Sequence, residues 1–212
     1  MILYLKAGPD GTSVGDCPFA HYVRLVLEEK GLPYDVKPAT QETKPKWLIE
    51  HYEGKMPALQ HRKECYTESS VIADYLEFFF PEPSLKPQKG AVDAAEETVD
   101  GFFPSVAKYL KKDGDDELLE GLKASLQKLD AHLKDGDKQF LCGDNISLLD
   151  LSLAPKLYHL KCGVEGFKDN VLSFSDYPAV NAYFERICSR PSFQNTVYDK
   201  DVVLWGWGNA RS

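Results

Sequence analysis

The order of elements in the first 83 residues restricts this chain to few compact folds, because short strand-like and helix-like runs follow one another as β-α-β-α-β-β-α. Residues 2–6 read as a strand and 18–30 as a helix stopped by Gly31, with Phe19, Tyr22, Val23, Val26 and Leu27 at the 3–4 spacing of one buried face. A second strand at 34–37 and a short helix at 44–51 come next. Residues 58–61 and 63–66 read as a hairpin, and 69–80 as a helix. Beyond the proline-rich stretch Pro81-Glu82-Pro83-Ser84-Leu85-Lys86-Pro87, nearly everything reads as helix.

Two domains are therefore expected: 1–83, a linker at 84–90, and 91–212. A right-handed first crossover closes the first part into a thioredoxin-like sheet, so the fold class expected is an α/β N-terminal thioredoxin-like domain plus an all-α C-terminal helical domain. In that topology Met56-Pro57 enters the third strand, where a cis-proline would present the backbone of the preceding residue to a peptide-like ligand. The helical part offers a run at 91–111 and then Leu118, Leu122, Leu126, Leu129 and Leu133 on one stripe. Ser147 can cap a helix with Asp150 reaching back and Ile146 stapling onto Leu151, and this pair is assigned to folding alone. Asp176-Tyr177-Pro178 starts another helix with Val180, Tyr183, Phe184 and Ile187 on its buried side.

Chemistry concentrates at Cys17. Pro18 suits a first helical turn, so Cys17 falls at a helix N-terminus, where unpaired N–H groups and the macrodipole lower a thiol pKa from ~8.5 toward ~3.5–7.5. Asp16 opposes that shift and Lys6 favours it. Ala20 stands where a dithiol motif would carry its second cysteine, so an oxidised Cys17 needs an external thiol, such as glutathione, to release it. Cys65, Cys142, Cys162 and Cys188 complete an odd number without tandem spacing, which suggests neither a disulfide framework nor a metal site and reads as packing. A net charge of −8 with scattered Lys and Arg argues against nucleic acid. No apolar run reaches the ~18–20 residues of a membrane span, and no signal peptide is evident. The expected location is a reducing one, the cytoplasm, or the chloroplast stroma if a transit peptide has been removed.

With a thiol opening the first helix, Pro57 in its loop, Glu68-Ser69 opening another helix and a helical second half, the chain resembles the glutathione transferase superfamily. More narrowly it resembles the dehydroascorbate reductases of plants and green algae. Gly15-Asp16-Cys17-Pro18-Phe19, Lys44-Pro45-Lys46-Trp47 and Glu53-Gly54-Lys55-Met56-Pro57 carry the resemblance in the first part. The stretch 150–160, Asp-Leu-Ser-Leu-Ala-Pro-Lys-Leu-Tyr-His-Leu, and Trp205-Gly206-Trp207 carry it in the second.

The resemblance implies a glutathione transferase fold and reduction of dehydroascorbate to ascorbate, with Cys17 as nucleophile and glutathione as cosubstrate rather than any bound cofactor. It implies a glutathione site at Lys44, Met56, Pro57 and Ser69, with Lys6, Asp16, His159 and Trp207 at the substrate. Met56 would pair its backbone with the cysteinyl unit, the helix start at Ser69 would take the γ-glutamyl carboxylate, and Lys44 would reach the glycyl carboxylate. A monomer with small-molecule partners is expected. The alternative is an omega-like thiol transferase that reduces mixed disulfides.

Overall fold

Alternation in the first strand, β1 (Ile2–Lys6), buries Leu3 and Leu5 completely and leaves Ile2 and Tyr4 half-buried, which makes β1 the centre of a sheet covered on both faces. The computed structural model describes residues 1–113, 115–135, 138–169 and 171–211. Helix α1 (Pro18–Glu29) leads to β2 (Asp35–Ala39), α2 (Lys46–Tyr52), the hairpin β3 (Ala58–His61) and β4 (Glu64–Thr67), and α3 (Ser69–Phe79). The strand order is β2-β1-β3-β4. β2 is parallel to β1, with Leu3 opposite Val36, and β3 is antiparallel to β1, with Leu3 opposite Leu59. β2 runs past the expected 34–37 and takes in Pro38, a residue that reads as a strand breaker but is tolerated on an edge.

The remaining helices are α4 (Val92–Val99), α5 (Phe102–Lys111), α6 (Asp116–Lys134), α7 (Leu148–Phe167), α8 (Pro178–Cys188), α9 (Pro191–Gln194) and α10 (Lys200–Ala210), with a 3-10 turn at Phe174–Asp176. The expected run at 91–111 is two helices, because Gly101 adopts φ +67° and turns the chain between them. The Ser147–Asp150 box is present: one Asp150 oxygen accepts from the Ser147 backbone N–H at 2.8 Å and its hydroxyl at 2.7 Å. Its other oxygen accepts from Leu141 N–H and the Tyr183 hydroxyl, so this buried carboxylate is fully used in folding. All four residues expected on the buried side of α8 are buried.

The long α7 forms the spine, packing against α1, α5 and α10, and the hydrophobic core runs unbroken from the sheet to Trp207. Polar clamps fix α1 to later helices. Arg190 grips Glu29 with two hydrogen bonds of 2.7 Å, and His21 Nε2 meets the Thr196 hydroxyl at 3.0 Å. At the far end of α1, the fully buried Lys30 ammonium meets Glu77 at 2.6 Å and donates to the carbonyls of Phe80 and Pro83.

Candidate active site

Cys17 is the N-cap of α1, with extended backbone (φ −67°, ψ 115°) and Pro18 as the first helical residue. The Cys17 carbonyl accepts from the His21 N–H at 3.0 Å and from the Tyr198 hydroxyl at 3.1 Å. That second bond reaches across 181 residues of sequence and pins the thiol-bearing turn to the end of the chain. Cys17 is half-buried, and all five cysteines are free, with Cys142 and Cys162 buried. Phe19, expected on the buried face of α1, is instead 42% exposed: while Pro18, Ala20 and His21 around it are buried, its ring lines an open cleft and meets Phe103 edge-on at 5.5 Å.

The ionisation of Cys17 differs from the sequence expectation. Burial pushes the thiol above its ordinary value, and the Asp16 carboxylate adds to that rise. Backbone N–H groups of Ala20 and Phe19, and the Lys6 charge, pull the other way without overcoming it. The reason is visible in the loop: Lys6 Nζ sits 2.6 Å from Asp16 Oδ1, so its field is largely spent on a carboxylate rather than on the sulfur.

This Lys6–Asp16 pair is framed by α10. Lys6 Nζ lies 5.0 Å above the Trp205 ring, and Asp16 fits against Gly206 so closely that a Cβ there would fall 1.8 Å from Asp16 Oδ2. Lys6, Gly8, Cys17, Lys44, Met56 and Trp205 line one cavity of about 580 Å³. His159 and Trp207 do not line it. They are 1% and 7% exposed, and the Trp207 indole N–H donates to His159 Nδ1 at 3.1 Å. Because indole only donates, His159 carries its proton on Nε2 and is neutral, in keeping with a pKa lowered by burial to about 4. Asp16 opposes that lowering, so the buried imidazole lies within electrostatic reach of the Asp16 carboxylate without entering the cavity wall.

The residues expected to hold glutathione converge around Met56, whose bond to Pro57 is cis. Lys44 lies in the Cys17 cavity and packs along Gly54, whose φ of +67° suits glycine. Pro57 and Ser69 lie in an adjoining cavity of about 660 Å³, and Met56 lines both. Ser69 is the first residue of α3, where the first N–H groups of a helix have no partner within it and can bind an anion. Among the described residues no cluster of three or more His, Cys, Asp or Glu is placed to hold a metal ion. Two contributors were given no role in the sequence reading: Tyr198, which has no local signal, and Trp205, which was noted only as part of the Trp205-Gly206-Trp207 motif; each acts on a partner almost a whole chain length away.

Comparison with known proteins agrees with this architecture. Family models for the glutathione S-transferase N-terminal and C-terminal domains match residues 16–77 and 69–191. Glutathione S-transferase DHAR2 of Arabidopsis thaliana is 37% identical over 198 residues, covering 92% of this chain and 90% of the relative. Glutathione S-transferase DHAR3, chloroplastic, of the same plant is also 37% identical, covering 92% of this chain and 74% of its own. The crystal structure of Chlamydomonas reinhardtii dehydroascorbate reductase superposes with a TM-score of 0.84 at 29% identity, covering 99% of this chain and 97% of that one. The chain belongs to the glutathione S-transferase family, on its dehydroascorbate reductase branch.

Proposed function

We propose that this protein reduces dehydroascorbate to ascorbate at the expense of two glutathione molecules, with Cys17 as the nucleophile. The observation that carries the reading is a single free, half-buried thiol at a helix N-terminus, without a resolving cysteine beside it, in a cavity that adjoins a peptide-sized cleft. In the first step the Cys17 sulfur gives two electrons to dehydroascorbate. Ascorbate leaves, and the sulfur takes its oxygen from water as a sulfenic acid. One glutathione condenses with it, expelling water and forming a mixed disulfide. A second attacks that bond and leaves glutathione disulfide and the Cys17 thiol.

Within this reading Lys6 steadies the enediolate charge that develops on the substrate, and Asp16 accepts hydrogen bonds from its hydroxyls. Lys6 lines the Cys17 cavity from the end of β1, and Asp16, next to Cys17 in the chain, pairs with it; Trp205 and Gly206 frame the two. His159 and Trp207 act from behind, as support for Asp16. Glutathione spans from Lys44 past the Met56 backbone to the start of α3 at Ser69. Residues 1–83 form the glutathione-binding domain, 84–90 the linker and 91–212 the helical domain that closes over the thiol. Each chain holds a whole site, which supports a monomer, and five free cysteines fit a reducing compartment, cytosol or chloroplast stroma.

The test is Cys17→Ser. Ascorbate formation from dehydroascorbate and glutathione, followed by absorbance, should fall to the uncatalysed background. Near-normal turnover in that variant refutes the reading. A glutathionylated peptide reduced with a higher kcat/KM than dehydroascorbate would favour the thiol transferase instead.

A further inference from the structure

Cys17 is an N-cap whose side chain caps nothing, so its turn is held through its carbonyl. That oxygen has two acceptor sites, and both are taken: the His21 N–H closes the first helical bond at 3.0 Å, and the Tyr198 hydroxyl donates at 3.1 Å. The first bond belongs to any helix; the second is brought in by the link between α9 and α10. Tyr198 is 5% exposed and held from several sides. Its ring lies 4.9 Å from the His21 ring, centroid to centroid, and the Arg24 guanidinium stands 5.7 Å from it. Its own carbonyl accepts from the Tyr158 hydroxyl at 2.6 Å, and Arg24 donates to the nearby Thr196 carbonyl at 2.8 Å. The phenol is thus fixed by groups on α1 and α7, the condition under which one hydrogen bond can set the geometry of another group.

That bond bears on the sulfur in two ways. The N–H groups of Phe19 and Ala20 favour the Cys17 anion, and both lie in the turn whose entry is set by the peptide plane between Cys17 and Pro18. Pro18 offers no N–H of its own. Fixing the carbonyl fixes that plane, and with it the direction of the sulfur relative to the two donors. The hydroxyl dipole also sets its positive end on the carbonyl oxygen of the thiol's own residue, which offsets a partial negative charge that repels a thiolate. Burial, opposed by Arg24 and aided by a charged Cys17, holds the Tyr198 phenol well above its ordinary pKa, so it stays a donor. The other titratable groups around Cys17 are Asp16 beside it, Lys6 from β1, Lys44 across the cavity and the neutral His159 of α7. Among the described residues none of these bonds to the Cys17 carbonyl.

We propose that Tyr198 is a positioning residue for the thiol chemistry, its hydroxyl holding the Cys17 peptide so that the sulfur stays by the Phe19 and Ala20 N–H groups and ionises more readily than burial alone allows. The inference rests on Cys17 being the nucleophile of the reading above. Tyr198 itself lines neither the cavity of Cys17 nor the adjoining cleft. It acts through a carbonyl that takes no part in bond making, so the same hydrogen bond serves while the sulfur passes through its oxidised states and returns to the thiol.

The experiment compares Tyr198→Phe, which keeps the ring against His21 and Arg24 and removes only the hydroxyl, with the unaltered protein. Alkylation by iodoacetamide, read at the Cys17 peptide by mass spectrometry across pH, should move to higher pH and slow by about 3–10-fold at neutral pH, the effect of one lost hydrogen bond. In turnover, kcat for dehydroascorbate should fall by a similar factor while KM for glutathione stays as it was. Thr196→Val is the control for a loosened helix: it removes the hydroxyl that meets His21 at 3.0 Å and leaves the bond from Tyr198 to Cys17 in place, so its alkylation profile should not move. An unchanged profile in Tyr198→Phe overturns the proposal. So does an equal shift in Thr196→Val, which would reduce Tyr198 to support of the fold, or a raised KM for glutathione with kcat unchanged. Should Tyr198→Phe fail to fold, Tyr158→Phe decides the matter, because it releases the Tyr198 carbonyl: a shift to higher pH supports the proposal and no shift overturns it. Alkylation needs neither dehydroascorbate nor glutathione, so its outcome is distinct from that of Cys17→Ser, which tests the reductase reading itself.

Discussion

Replacing Gly206 with alanine sets two effects of similar size against each other, and the structure decides the sign. In an ordinary helix interior the change gains about 1 kcal/mol from propensity. Gly121 in α6 is such a position, because nothing lies within 4 Å of a Cβ built there. At Gly206 in α10 the new methyl would stand 1.8 Å from Asp16 Oδ2 and 2.2 Å from its Cγ, so Asp16 must leave its place. Asp16 is 9% exposed and held by Lys6, so the move strains a packed site, a cost of about 1–3 kcal/mol for overpacking. Loss of the Lys6 pair adds only ~0–1 kcal/mol, since the lysine is half exposed. The net for Gly206→Ala is roughly 0–3 kcal/mol of destabilisation, against a gain of about 1 kcal/mol for Gly121→Ala. At ~2–4 °C per kcal/mol for a chain of this size, Gly121→Ala should raise Tm by about 2–4 °C while Gly206→Ala leaves it flat or lowers it by up to ~12 °C. Differential scanning fluorimetry reads both. The same displacement should reduce kcat/KM for dehydroascorbate by roughly 100-fold, as ångström-scale misplacement of a catalytic group does. If Gly206→Ala stabilises the protein as much as Gly121→Ala and keeps full activity, the argument that α10 positions Asp16 is wrong.

Three further outcomes follow from the charges. Since burial raises the Cys17 pKa and the thiolate is the reactive form, the rate of its alkylation by iodoacetamide should still be climbing at the ordinary thiol value of ~8.5. A plateau well below that pH contradicts the assignment. Asp16→Asn removes an opposing carboxylate and frees Lys6, so the alkylation curve should move to lower pH, and a move upward would contradict the roles given to both. Lys30→Met strands the buried Glu77 carboxylate and should cost about 3–5 kcal/mol in urea denaturation, most of it recovered by Lys30→Met with Glu77→Leu. A single-variant loss under ~1 kcal/mol would show that the pair is not the clamp it resembles.

Elements with strong local signals were legible in the sequence. Leu3 and Leu5 alternate, Ser147 and Asp150 form their box, and the α8 stripe is buried, because each depends on neighbours within one or two turns. Cys17 was legible for the same reason: Pro18 and the apolar run after it define a helix start. Its ionisation was not, because the balance depends on burial by distant helices and on a 2.6 Å pair that diverts the one nearby cation. The break at Gly101 was missed because apolar residues on either side keep helical spacing through it. The edge strand β2 was cut short for the converse reason, a proline that only an edge position excuses.

What the chain's two ends do together explains why the site resists local reading. Lys6 and Asp16 come from the first strand and the loop after it, yet the wall that confines them is Trp205 and Gly206 on the last helix, and the carbonyl of Cys17 is bound by Tyr198 just before it. The thiol at its helix N-terminus is thus built from the sheet and α1, whereas the Lys6–Asp16 pair proposed to meet the substrate is confined only by α10, which packs on α7. It follows that truncation before residue 199 should leave Cys17 present and alkylatable while dehydroascorbate reduction is lost, with far-UV circular dichroism still reporting the sheet and the α7 spine. A truncated protein that reduces dehydroascorbate at the full rate would mean that the loop holds its own geometry, and the part assigned here to the last helix would have to be withdrawn.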